Sequence, residues 1–156
     1  MQTLAIVPRG YAAVLTDGGV DIRRCEMRDL PRVLALWDEE RSEHASIPDR
    51  IEDLEDLVTE SPAALLVAEE NGAIVGALIA AWDGWRGNMY RLAVKSGHRR
   101  SGIATALTRT GEDHLRSCGA KRVTALVAHD DEMAGFFWDS VGYPLDPSMG
   151  RRARNI

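Results

Sequence analysis

Six consecutive residues, Arg99-Arg100-Ser101-Gly102-Ile103-Ala104, set two arginines directly before a short small-residue stretch. At the start of a helix this combination binds anions. A helix N-terminus exposes unpaired N–H groups and the positive end of its dipole. Removing side-chain bulk at Gly102 and Ala104 lets an anion approach those groups. Arg99 and Arg100 add planar donors matched to phosphate oxygens. One helix end contributes only ~0.3–1 kcal/mol to an anion, so several amides must converge with arginine, and this segment supplies both. On spacing alone the same residues also suit a solvated basic loop whose glycine merely permits a turn. Two other phosphate-binding patterns are absent: Gly-Lys-Ser/Thr at a helix start, and Gly-x-Gly-x-x-Gly.

The flanking sequence places this stretch between a strand and a helix. Gly87 to Val94 reads as a strand, ending Leu92-Ala93-Val94, and a helix is predicted from about Ser101 to Ser117. Upstream, Val20-Asp21-Ile22 alternates like a half-buried strand. The next helix has Asp29 as N-cap and Pro31 in its first turn, with Leu30, Val33, Leu34 and Trp37 on one stripe. Asp38 to Ser46 is polar. A second helix is predicted from about Pro48, burying Ile51, Leu54, Leu57 and Val58, and stopping before Pro62. Ala64 to Ala68 and Ala73 to Ala81 are apolar runs joined through Asn71-Gly72, a hairpin signature. The turn at Asp83-Gly84 leads to the strand before the loop. Val123 to Ala128 reads as a buried strand and Glu132 to Val141 as a helix capped by Asp130 or Asp131, ended by Gly142. The tail contains a last edge strand in this reading.

The predicted order is β-α-α-β-β-β-α-β-α-β, a mixed-sheet α/β (α+β) domain over 20–156 preceded by a loosely structured arm over 1–19, which can hold a short strand. The 156 residues suffice for one core. A net charge of −5 argues against general nucleic-acid binding, which relies on basic surface. No apolar run approaches the ~18 residues of a membrane span. The first residues do not read as a signal peptide, since Pro8, Arg9 and Gly10 break their apolar stretch. A cytoplasmic protein without membrane association is expected. The two cysteines, Cys25 and Cys118, lie far apart without a companion ligand pattern, so free thiols and no metal are expected.

The stretch L-A-V-K-S-G-H-R-R-S-G-I-A-T-A-L resembles motif A of the GNAT N-acetyltransferases, Arg/Gln-x-x-Gly-x-Gly/Ala, with Arg99, Gly102 and Ala104 at its three positions. The likeness runs from about Val20 to Tyr143. The hairpin V-A-E-E-N-G-A-I-V-G-A is similar to the family's second and third strands, and A-G-F-F-W-D-S-V-G-Y to its motif B. The segment D-G-W-R-G-N-M-Y-R-L-A-V is also similar to a bacterial branch of poorly defined substrate.

This resemblance implies an acetyl-CoA-dependent N-acetyltransferase acting on a primary amine of a peptide, protein or small molecule. It implies that the pantetheine arm pairs with the backbone of Leu92, Ala93 and Val94, where a bulge splays two parallel strands. It places the pyrophosphate on the amides of Arg99, Arg100, Ser101, Gly102, Ile103 and Ala104, with Thr105 beside them. A homodimer is a family-level expectation. The acceptor pocket is expected between the first two helices and the late-strand loops.

Two positions depart from the family pattern: Asp131 stands for the motif B Asn and Trp138 for its Tyr. Trp138 can donate its indole N–H to sulfur but has no titratable proton, and it equally suits a core stripe with Met133, Phe137 and Val141. Leu126 stands where the ribosomal N-terminal acetyltransferase branch often has Glu, so that substrate does not carry over. A lysine amine with pKa ~10.4 is only about 0.04% neutral at pH 7, against roughly 14% for an α-amino group near ~7.8. Low-pKa amines therefore suit an enzyme with a weak base. Candidates for that base are Tyr90, His129, Glu39, Glu40, Glu43 and His44, or water; Asp83 is better explained as a turn residue. The alternative function is a non-catalytic acyl-CoA-binding or sensing module with the same fold.

Overall fold

The structure is a computed structural model describing residues 14–15, 19–40, 48–59 and 64–155. Most of the N-terminal arm, together with Glu43 and His44, lies outside the described residues. The chain divides into two compact units, Met1–Leu126 and Val127–Ile156.

The first unit is built on one sheet. Strands β1 (Val14–Leu15), β2 (Asp21–Arg24), β3 (Ala64–Glu70), β4 (Ala73–Trp82), β5 (Gly87–Val94) and β6 (Val123–Ala125) lie side by side in chain order. Neighbours are antiparallel except β5 and β6, which are parallel. A parallel pair needs a crossover, and helix α3 (Ile103–Cys118) supplies it. The Asn71-Gly72 turn forms as the sequence predicts, with φ of 49° and 79°. The short strand expected in the arm is the two-residue β1.

The central strands are buried on both faces, which explains their unbroken apolar runs. Leu65 and Val67 of β3 join Ile74, Ala77 and Ile79 of β4 in a core with α1 (Leu30–Glu39) and α2 (Ile51–Thr59). That core includes Leu30, Val33, Leu36, Trp37 and Leu54. The alternate residues face α3. A Cβ placed on Gly111 of α3 would lie 3.1 Å from Leu78 and 3.3 Å from both Ala80 and Met89, so the helix backbone rides close on the sheet.

The entry to α1 is held by charge. Asp29 is fully buried and accepts from Arg23, from Arg32 and from the Glu26 amide at 2.9 Å, while Arg23 also pairs with Glu69. Asp29 was expected as the N-cap of α1. It does stand at that position, but without a side-chain cap: it also ends a preceding 3-10 turn, Met27–Asp29, with helical φ and ψ, and its oxygens accept from Arg23, Arg32 and the Glu26 amide. Burial opposes its ionisation, yet the Arg23 and Glu26 hydrogen bonds win and hold its pKa at about 2.

Other boundaries shift for identifiable reasons. Helix α2 begins at Ile51, after Pro48 and Asp49. Helix α3 starts at Ile103 and not Ser101, because Arg100 and Gly102 have φ of 61° and 82° and cannot continue a right-handed helix. Strand β6 ends at Ala125 and not Ala128, where β5 stops offering it a ladder.

The second unit contains α4 (Glu132–Ser140), capped by Asp131 accepting from the Ala134 amide at 2.9 Å. Trp138 packs edge-on to Phe137 and Tyr143, with ring centroids 5.3 and 5.1 Å away. Met133 is exposed and does not complete the expected stripe. The predicted last edge strand does not form: described residues after Ser140 contain only turns and irregular chain. Pro144 and Pro147 explain this, since each removes a ladder donor and fixes φ.

Two stability tests follow from this packing. The folded-state pKa of Asp29 lies below the ordinary value, so its contribution is present above about pH 4 and is lost as pH falls toward 2. Urea unfolding across that window should show about 2 kcal/mol of pH-dependent stability that Asp29→Asn lacks. Gly111→Val should destabilise the protein by about 1–3 kcal/mol through overpacking, read as a lowered melting temperature.

Candidate active site

Strand β5 changes register halfway along. Ile79 of β4 pairs with Tyr90, but Ala77 pairs with Ala93, so two β5 residues, Arg91 and Leu92, oppose one β4 residue. This is a β-bulge. Arg91 takes a left-handed φ of 56°. Such a conformation is costly for a residue with a Cβ, and neighbouring groups fix it. Trp37 of α1 donates its indole N–H to the Arg91 carbonyl at 2.9 Å. The Arg91 guanidinium lies 5.7 Å from the Trp37 ring centroid and pairs with Asp49 before α2.

The ladder between β5 and its parallel neighbour ends just before the bulge. The β5–β6 register covers only Gly87 to Met89, followed by one last bond from the Leu126 amide to the Met89 carbonyl at 3.2 Å. Among the described residues, β5 has no strand partner on that side from Tyr90 to Val94. The bulge also restores Ala93 to the face that Tyr90 occupies, the face of α1 and α2.

The basic loop follows at once. A 3-10 turn, Ser96–His98, leads through Arg99 and Arg100 to Gly102, the N-cap of α3. The first intrahelical bond runs from the Ala106 amide to the Gly102 carbonyl at 2.9 Å. The amides of Ile103, Ala104 and Thr105 therefore have no acceptor within the helix, at the positive end of a 16-residue dipole. A Cβ on Gly102 would meet nothing within 4 Å. The space before those amides is open, and the φ of 82° favours glycine.

The side chains of the loop are tied inward. Arg99 pairs with Glu40 at the end of α1, and its Nε donates to the Val94 carbonyl at 3.3 Å. The other Glu40 oxygen accepts from the Ser96 amide at 2.9 Å. Ser101 donates its hydroxyl to the His98 carbonyl, and His98 pairs with Glu70 at 2.8 Å. Arg100 is exposed.

A cleft of about 310 Å³ opens beside the bulge, lined by Leu34, Ala35, Trp37, Asp38, Pro48, Asp49 and Arg91. It lies between α1 and the approach to α2; the sequence reading expected the acceptor between the first two helices and the late-strand loops, and no residue of those loops lines this cleft.

The candidate residues separate into two groups. Leu92, Ala93, Val94 and residues 99 to 105 form one continuous path along β5, the loop and the head of α3, with Tyr90 directly before the bulge. His129 and Trp138 belong to the second unit. His129 is exposed in a turn beyond β6, not at a strand end, because the bulge ends the β6 ladder early. Both Glu40 oxygens are engaged, so it serves the loop and is not an available base. Glu39 is exposed, 4.0 Å from Lys95. Asp83 accepts from the Trp85 and Arg86 amides, as its turn position predicts, and the Arg86 amide leads in holding its carboxyl below the usual range.

Cys25 and Cys118 are free. Burial pushes the Cys25 thiol up to about 12 and raises that of Cys118, which makes both poor nucleophiles. Among the described residues no group of three or more His, Cys, Asp and Glu is placed to hold a metal, and no helix is long and apolar enough to cross a membrane. The sequence reading missed Trp37 and Arg91 as members of this site. The available signal was a tryptophan on a buried helical stripe, whose N–H must find an acceptor.

Comparison with known proteins agrees with this geometry. The family model described as "Acetyltransferase (GNAT) family" matches residues 30–143. An acetyltransferase of Yersinia pestis is 30% identical over 139 residues, covering 85% of this chain and 95% of its own. Among solved structures, aminoglycoside 6'-N-acetyltransferase AAC(6')-Ih from Acinetobacter baumannii has a TM-score of 0.72 at 20% identity, covering 88% of this chain and 99% of its own. AAC(6')-Iy, solved with a bisubstrate analogue of CoA and acetylneamine, has a TM-score of 0.72 at 16% identity, with coverages of 87% and 99%. A bulged strand running into an Arg/Gly loop and helix, a family model spanning most of the chain and a named bacterial relative together make this chain a member of the GNAT acetyltransferase family, and an acyltransferase.

Proposed function

We propose that this enzyme transfers an acetyl group from acetyl-CoA to a cationic amine bound in the cleft between α1 and the approach to α2. The bulge at Arg91–Leu92 carries this reading. It leaves the β5 edge open directly before a loop that ends in a helix N-terminus. Leu92, Ala93 and Val94 offer backbone groups to the amides of the pantetheine arm. The amides from Arg99 to Thr105 receive the pyrophosphate, with Arg100 adding charge at the rim. The open space at Gly102 fits such a group.

The reaction joins a neutral amine to the thioester carbonyl through a tetrahedral oxyanion, then releases the CoA thiolate. A backbone amide near Val94 supplies the preorganised donor for the oxyanion. A thiol with pKa near ~8.5 leaves without much acid help, which suits an enzyme with Trp138 in place of the family's Tyr. Tyr90 is the proposed proton acceptor or relay, because it lies at the opening of the strands on the face of α1 and α2. The cleft carries two carboxylates, Asp38 and Asp49, against the single guanidinium of Arg91. This balance favours a positively charged acceptor that gives up a proton before attack.

The direct test is thiol release from acetyl-CoA with peptides, polyamines and aminoglycosides as acceptors. Turnover with at least one cationic amine is expected. Binding of acetyl-CoA with silence across all three classes would instead support a sensing module. Gly102→Glu should weaken acetyl-CoA binding by at least about tenfold by placing charge and bulk before the helix amides. Unchanged affinity in a folded variant would move the pyrophosphate elsewhere. Tyr90→Phe should lower kcat while leaving the acetyl-CoA Kd intact. If His129→Ala does so instead, the proton-transfer role belongs to the second unit.

A further inference from the structure

Glu40 is the C-cap of α1, directly after its last residue, Glu39. Its side chain is only 12% exposed, an unusual position for a lone carboxylate. It meets two donors from one segment: the Ser96 amide on one oxygen and the Arg99 guanidinium on the other. Arg99 in turn reaches the Val94 carbonyl at 3.3 Å. A single carboxylate thereby spans both ends of the bend between β5 and the helix.

Three residues earlier on α1, Trp37 donates to the Arg91 carbonyl. Positions i and i+3 lie on the same side of a helix. One side of α1 therefore holds the bulge through Trp37 and the basic loop through Glu40. Trp37 also lines the acceptor cleft.

We infer that Glu40 is a positioning residue for acetyl-CoA, acting through Ser96 and Arg99, and that Arg99 shapes the loop through Glu40 and Val94 more than it contacts phosphate. The inference rests on the proposed acetyl-CoA seat. Hydrogen bonds to charged groups are stronger than neutral ones. Losing both at once frees the loop to sample arrangements in which its amides no longer converge, so each binding event must first order it.

The test measures acetyl-CoA Kd, KM and kcat for Glu40→Ala, Glu40→Gln, Arg99→Ala and the double variant Glu40→Ala/Arg99→Ala, with melting curves confirming that each folds. Glu40→Ala should raise Kd and KM for acetyl-CoA about tenfold, with kcat changing less than KM. Glu40→Gln keeps an acceptor for the Ser96 amide and should recover part of that loss. Arg99→Ala and Glu40→Ala should be strongly non-additive, because each removes the same contact. Additive losses, or tighter binding in Glu40→Ala, would show that Arg99 serves the phosphate directly and would overturn the inference. A wild-type protein that binds no acetyl-CoA would overturn the proposed function itself, whereas a binding wild type with unchanged Glu40→Ala affinity overturns only the role of Glu40.

Discussion

The bulge at Arg91–Leu92 is the constraint on which the site depends. An uninterrupted β5 would continue its ladder with β6, and the two strands would close the edge from Tyr90 to Val94. One extra residue breaks that ladder, turns Ala93 to the face of Tyr90 and leaves a row of backbone groups without a strand partner. Exposed strand edges invite pairing by any extended polar chain. Placed beside a helix N-terminus, the same edge is, in the proposed reading, the seat of a ligand that is extended and amide-bearing at one end and anionic at the other.

The rest of the first unit maintains that opening. The Trp37 indole of α1 donates to the carbonyl of the left-handed Arg91, and the Asp49 carboxylate before α2 pairs with its guanidinium. On the opposite face, α3 is seated by close backbone packing at Gly111, which fixes where its first amides point. Asp29, buried among Arg23, Arg32 and the Glu26 amide, fixes the start of α1 against β2. Removing one partner from a buried charge cluster is costly, so this anchor resists the small rotations of α1 that would carry Trp37 and Glu40 away from their partners.

Much of this was legible in the sequence because it rests on local rules. The Asn71-Gly72 hairpin, the strand Gly87–Val94 and the glycine before α3 each announce a backbone geometry through residue type. The family likeness added the bulge, which no periodicity in Met89-Tyr90-Arg91-Leu92 reveals. Contacts between segments distant in sequence were not legible. Trp37 to Arg91 and Glu40 to Ser96 join α1 to a strand and a loop across the fold, and as sequence Glu40 is merely one more acid in a polar run. The end of β6 was missed for a related reason: Leu126-Val127-Ala128 has strand character, but the β5–β6 register ends at Met89 and Ala125. The last strand failed because apolar residues in the tail could not outweigh Pro144 and Pro147.

In the proposed reading, the open edge of β5 and the first turn of α3 form one cofactor seat. Amide NMR shifts on titrating the enzyme with CoA test it most directly. The largest changes should appear together at Leu92, Ala93 and Val94 and at Gly102, Ile103, Ala104 and Thr105, saturating at a single Kd. Saturable binding that leaves the β5 amides unmoved, with shifts confined elsewhere in the chain, would contradict it.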